Sequence, residues 1–122
     1  MNIQHFAVRC GLSAHTLRYY EKLGLLRHVR RDSSGHRRFA DADLSWVEFI
    51  KRLKDTGMPL EQIQRYADLR EQGDASHAQR LQLLQEHAAA LQARIALETE
   101  HLDKLQEKIE YYRRLAADVT EA

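Results

Sequence analysis

Residues 12–26 read Leu12-Ser13-Ala14-His15-Thr16-Leu17-Arg18-Tyr19-Tyr20-Glu21-Lys22-Leu23-Gly24-Leu25-Leu26. Ser13 is a residue type that starts helices, because its hydroxyl can accept a backbone N–H of the first turn. It predicts a helix over residues 14–22, which Gly24 ends. Leu17 and Tyr20 lie three apart on one face of that helix and are assigned to the core, Tyr20 partly. Just upstream, Ile3, Phe6, Ala7 and Cys10 recur at helical spacing, and Gly11 stops that turn. Two short helices joined by a tight glycine-containing turn make a helix-turn-helix.

The second of these helices opens on short polar side chains that fit a DNA major groove. Ser13, His15, Thr16 and Arg18 are candidates for base edges or phosphates, and Tyr19 or Tyr20 for a phosphate through its hydroxyl. The same face also reads as an ordinary amphipathic surface. After Leu25-Leu26 come two short segments around Asp32-Ser33-Ser34-Gly35, which predict a small basic hairpin, or wing. Arg30, Arg31, Arg37 and Arg38 on that wing are placed against backbone phosphates. Alone they read equally as a solvated charge run; directly after a helix-turn-helix, phosphate contact is the better reading.

Further on, Asp41 is expected to cap a third helix over residues 42–55, with Leu44, Val47, Phe49, Ile50 and Leu53 on its apolar side. Thr56-Gly57-Met58-Pro59 interrupts the chain, and Pro59 suits the first turn of a fourth helix over 60–71. Leu60, Ile63, Tyr66, Ala67 and Leu69 give that helix its buried side. No glycine or proline follows Gly73. From residue 76 on, Leu81, Ala88, Ile95, Leu102, Ile109 and Ala116 lie seven apart, and Leu84, Leu91, Glu98, Leu105, Tyr112 and Val119 lie three further on. These are two columns of a heptad with one polar member, Glu98. About 40 residues of the expected helix over 76–119, at 1.5 Å each, make a rod of roughly 60 Å. A chain this short offers the stripe little to bury against, so a second subunit is implied.

Charge divides the same way. Residues 1–40 carry eight Lys/Arg against Glu21 and Asp32, a net +6, while residues 73–122 carry six against nine Asp/Glu, a net −3. A basic head suggests a polyanion partner. No apolar run reaches the roughly 18 residues of a membrane span. The first residues lack the basic and apolar segments of a signal peptide, so the cytoplasm is the expected location. Cys10 is the single cysteine, which leaves no intrachain disulfide and no cysteine-rich metal cluster in one chain. His77, His87 and His101 lie on the long helix with no two four apart, so no metal site is assigned. Nothing calls for a cofactor, and no Ser/His/Asp set, phosphate loop or paired acids point to an enzyme.

Taken together, residues 12–26, the later His36-Arg37-Arg38-Phe39 and Asp41-Ala42-Asp43-Leu44, and the run from Phe49 to Ile63 through Thr56-Gly57-Met58-Pro59 closely resemble the MerR family of bacterial regulators. The resemblance covers residues 2–72 densely, and the long helix matches in kind. It implies a mainly α fold: a winged helix-turn-helix over 1–72, a linker at 73–75, a dimerisation helix over 76–119 forming an antiparallel coiled coil, and a tail at 120–122. It further implies a homodimer that binds a palindromic promoter operator in double-stranded DNA and distorts it, acting on RNA polymerase indirectly. The heptads permit antiparallel pairing of Leu81 with Tyr112, Leu84 with Ile109, Ala88 with Leu105, Leu91 with Leu102, and Ile95 with Glu98, Glu98 being the register-fixing residue. One departure is His28, where members of the family often carry proline; the change implies a less rigid start to the wing.

The sensing part of the family does not carry over. The cysteines of its metal sensors and the third-helix cysteine of its aldehyde and thiol-stress sensors have no counterpart here, Arg52 and Lys54 standing in the latter region. No appended ligand domain is expected, and no small-molecule effector is identified. Cys10 reads as a small buried hydrophobe, with a redox sensor as the alternative. The competing reading of the whole chain is an architectural DNA-binding factor like the excisionases. A pure coiled-coil interaction protein is a third. The long pairing helix favours a regulator over the first, and the basic wing over the second.

Overall fold

Helix α1, Ile3–Cys10, begins where the Asn2 carboxamide oxygen accepts the His5 N–H at 2.8 Å, and ends at Gly11 in the left-handed region with φ 70°. That conformation costs an L-residue energy and costs glycine nothing, which is why the stop falls there. Helix α2, Ala14–Lys22, starts as its sequence predicts: the Ser13 hydroxyl accepts the Thr16 N–H at 3.0 Å. Strands β1, Arg30–Arg31, and β2, Arg37–Arg38, pair antiparallel with Arg30 opposite Arg38 and Arg31 opposite Arg37. Helices α3, Asp41–Asp55, and α4, Leu60–Glu71, follow, and α5 runs His77–Glu121. The computed structural model describes residues 1–121, with side chains through Val119; Ala122, the end of the expected tail, lies outside the described residues.

Residues Met1–Leu83 form one compact unit. Its core is built from one face of each helix: Phe6, Leu17, Leu25, Leu26, Val47, Ile50 and Ile63 are all at most 2% exposed. Phe6 stacks on Phe39 with centroids 4.3 Å apart, joining α1 to the strand that leaves the wing. Burying each such ring stabilises the unit by about 1.5–3 kcal/mol. The Phe39 N–H also donates to the Met1 carbonyl at 2.7 Å, which ties the wing's exit to the first residue.

Three details differ from the sequence expectation. Asp41 is the first residue of α3 and not its cap; Ala40 holds the cap position, and the Asp43 carboxylate reaches back to the Ala40 N–H at 2.9 Å. Both acids then lie in the first turn, where they complement the helix dipole. Trp46, absent from the expected apolar side of α3, is buried, and its indole N–H donates to the Leu25 carbonyl at 2.7 Å. Leu60 is 41% exposed, because α4 turns Ile63, Ala67 and Leu69 inward instead. Residues 73–75, the expected linker, lie in a 3-10 helix, Gly73–Ser76, whose fully buried Ser76 hydroxyl donates to the Leu69 carbonyl.

The second unit begins at Leu84 and is helical to Glu121. Its Ala, Leu, Gln, Glu and Arg content favours helix, and no breaker interrupts it. Ile95, Leu102, Leu105, Ile109 and Tyr112 on the heptad columns are all more than half exposed. Leu97, Tyr111 and Leu115, off those columns, are exposed as well.

Candidate nucleic-acid interface

The first turn of α2 is organised by its own hydroxyls. Ser13 Oγ lies 2.9 Å from Thr16 Oγ1 while it caps the Thr16 N–H. Leu17 and Tyr20 anchor the inner face at 1% and 2% exposure, which turns His15, Arg18 and Tyr19 outward. Their outward spacing is the direct consequence of which residues the core takes, since positions three and four apart share a helix face.

The wing is shaped by Asp32. Its carboxylate accepts the backbone N–H groups of Ser34 and His36 at 2.9 and 3.0 Å, and the Asp32 N–H donates to the His36 carbonyl at 2.9 Å. Those backbone donors, led by His36, hold its carboxyl below the usual aspartate range. Gly35, at φ 83°, supplies the left-handed residue that the turn requires.

The four wing arginines are not equivalent. Arg37 turns inward, and its Nε and Nη2 both donate to Glu21 Oε1 of α2, at 3.2 and 2.9 Å. Arg31 lies 3.6 Å from the same oxygen and donates to the Gly35 carbonyl at 3.0 Å. Arg38 stands 3.4 Å from Asp32. Arg30 is exposed and makes no ion pair among the described residues. Glu21 therefore ties the wing to α2, although the sequence showed it only as an acid in a basic head.

These elements enclose a half-open cleft of about 430 Å³. Arg18 of α2 and Arg31, Arg37 and Arg38 of the wing line it, together with Asn2 and Gln4 at the start of α1. Ser13, His15, Thr16 and Tyr19 lie outside it on α2, and Arg30 outside it on the wing. Asn2 and Gln4 were not among the sequence candidates; the readable signal was that Asn2 is a capping residue directly before an apolar-periodic run. Four guanidinium groups around one concavity, with two acids engaged in holding them, suit an anion such as a phosphate diester.

The wing's root is fastened to α4. Arg27 pairs with Asp68 and Glu71, and its Nε donates to the Gly24 carbonyl at 2.6 Å. His28 Nε2 lies 2.6 Å from Glu71 Oε1. His28 sits at φ 58°, a conformation closed to proline, whose φ is fixed near −65°. The wing's start thus carries a side-chain contact to α4 at a position where members of the family often have a proline ring. Contacts with His28 first and Arg27 second keep the Glu71 carboxyl below the usual glutamate range.

Cys10 is 3% exposed at the end of α1, and burial pushes its thiol pKa up, with Lys51 partly opposing this. Lys51 of α3 donates to the Cys10 carbonyl, so this lysine closes the C-terminal end of α1. Among the described residues no group of three His, Cys, Asp or Glu is arranged to hold a metal ion, and no helix is long and apolar enough to cross a membrane.

Comparison with known proteins bears on the same surfaces. A family model for MerR helix-turn-helix regulatory proteins matches residues 1–69, and one described as MerR, DNA binding matches residues 44–107. An HTH-type transcriptional regulator of Haemophilus influenzae is 40% identical over 111 residues, 91% of this chain and 82% of its own length. The crystal structure of HiNmlR, a MerR family regulator lacking the sensor domain and bound to promoter DNA, superposes with a TM-score of 0.83 at 39% identity, covering 95% of this chain and 92% of the other. A MerR family transcriptional regulator from Bacillus thuringiensis superposes with a TM-score of 0.77 at 33% identity, over 89% of this chain and 96% of the other.

Proposed function

This chain belongs to the MerR family of helix-turn-helix regulatory proteins, and from that premise we propose that two copies, paired through α5, set their heads on the halves of a palindromic promoter operator and distort it to control transcription initiation. The chain is a DNA-binding transcription regulator and not an enzyme. In this reading residues 1–72 are the reading domain and 76–119 the dimerisation helix, working in the bacterial cytoplasm on the nucleoid.

The observation that carries the reading is the cleft between α2 and the wing. Arg18 of α2 lines it together with Arg31 and Arg38 of the wing, which supports holding one strand's phosphates while α2 lies in the adjacent major groove. Ser13, His15, Thr16 and Tyr19 face the bases or the flanking backbone, and Arg30 adds a phosphate contact from the wing's outer side. Arg37 acts one step back, through Glu21, by fixing the wing against α2. Bending or twisting a site of 20–30 base pairs costs on the order of 1–6 kcal/mol, which added phosphate contacts must offset. RNA polymerase is engaged indirectly, through the altered promoter.

Selection of duplexes from a random-sequence pool by the purified protein tests this. The expected product is a palindromic consensus, protected symmetrically in footprints and bent in circular-permutation gels. Recovery of duplexes with no shared sequence, whose binding weakens steeply and alike with salt, would refute specific reading in favour of architectural binding.

A further inference from the structure

Resting on the reading of α5 as the pairing helix, we propose that Glu98 is matched across the dimer by Arg94 of the second copy, so that two Glu98–Arg94 pairs about the twofold axis fix the direction and register of the helices. Glu98 is the polar member of an otherwise apolar stripe whose Ile95 and Leu102 are 55% and 52% exposed. The stripe is locally concave at that point, in a depression lined by Arg94, Ile95, Glu98, Thr99 and Leu102.

The charges around the stripe choose the arrangement. A parallel, in-register pair would set Glu98 against Glu98 in one apolar layer, two like charges with no compensation. Antiparallel pairing of Leu91 with Leu102 and Leu84 with Ile109 sets Glu98 against Ile95 of the other copy, and the neighbouring Arg94 then lies one residue, about 1.5 Å, along the axis from that layer. The flank that Arg94 occupies continues as His87, His101, Lys108 and Leu115, and the opposite flank as Gln85, Gln92, Thr99, Gln106 and, near the end, Arg113. The acids Glu86, Glu100, Asp103, Glu107 and Glu110 all fall on the outer heptad positions. Glu98 is therefore the acid at the seam that can balance Arg94. A second copy is the occupant that fits, because the stripe is apolar against itself in the other layers of this register between Leu81 and Tyr112.

Charge reversal in separate copies tests the pairing. Glu98→Arg alone and Arg94→Glu alone each place four like charges at the twofold axis, and each should weaken the homodimer at least about tenfold by sedimentation equilibrium. Mixing the two variants restores an acid–base match in both pairs, so mass-tagged heterodimers should form in preference to either homodimer. Within each helix positions 94 and 98 stay like-charged in that mixture, so the rescue reports contact between copies and not an intrahelical pair. Heterodimers no tighter than the variant homodimers, or variants that dimerise as well as the original chain, would overturn the proposal while leaving the dimer intact. An original chain that is monomeric at micromolar concentration would overturn the dimer reading with it.

Discussion

Arg30 and Arg37 sit on facing strands of one small wing, yet their neutralisation should register in different measurements. Arg30 is exposed and free of ion pairs among the described residues, whereas both Nε and Nη2 of Arg37 engage Glu21, with the two side chains 23% and 27% exposed. If Arg30 holds a phosphate, Arg30→Gln removes two contacts per dimer. The slope of log K against log salt then falls by about 1.8, from roughly 0.9 per phosphate. Taking the electrostatic contribution to vanish near 1 M salt, binding weakens about 30-fold at 0.15 M. Folding should be untouched, as for most surface substitutions. Arg37→Gln instead leaves Glu21 without its main partner and loosens the wing from α2, costing on the order of 1 kcal/mol after allowance for partial exposure. That is about 4–8 °C in the melting of a unit this size. Its salt slope should change by well under one. Fluorescence anisotropy titrations of a selected duplex at several salt concentrations, paired with thermal melts, separate the two. Equal slope losses for both variants, with no difference in melting, would refute the division of labour drawn from the Glu21 contact.

Two further outcomes follow from the pKa directions. The Glu71 carboxyl is held below its unfolded value by His28 and Arg27, so its contribution is complete above the ordinary glutamate range and is lost as pH falls through the lower folded value; melts between pH 6 and 3 should therefore show a shallower acid decline in Glu71→Gln than in the original chain, and coincident declines would contradict the anchor. Cys10 is buried with its thiol pushed up, so a thiol reagent should label native protein only as fast as the unit opens, and diamide should leave DNA binding unchanged; rapid labelling with a loss of binding that Cys10→Ala prevents would make this cysteine a sensor.

Periodicity and capping made most of the architecture readable. Ser13, Gly11 and Gly24 mark ends by local chemistry, and local chemistry is what a sequence displays. The elements fall where such signals stand: α2 at Ala14–Lys22, α4 at Leu60–Glu71. What escaped was settled by residues far along the chain. Trp46 finds the Leu25 carbonyl 21 positions away, and Arg37 finds Glu21 16 positions away. An arginine among arginines on a hairpin carries no mark of which one turns inward; that depends on the acid the fold brings beneath it. Asp41 was a plausible cap by type, but Asp43 stood at the position from which a carboxylate reaches back to the preceding N–H. The backbone of His28 was legible in neither type nor spacing, since its left-handed turn is supported by Glu71, 43 positions on.

That anchorage limits how the reading surface can be moved between proteins. Residues 12–38 hold nearly all the groups proposed to meet DNA, and they invite transplantation as a cassette. Yet Arg27 and His28 find their partners in Asp68 and Glu71, and the Leu23 carbonyl accepts from Gln64 at 3.1 Å. A graft that stops short of α4 would carry the letters and leave behind the hinge-pin that aims them. The exchangeable module runs at least to Glu71, so any change of specificity by recombination has to import the distal helix along with the surface that reads.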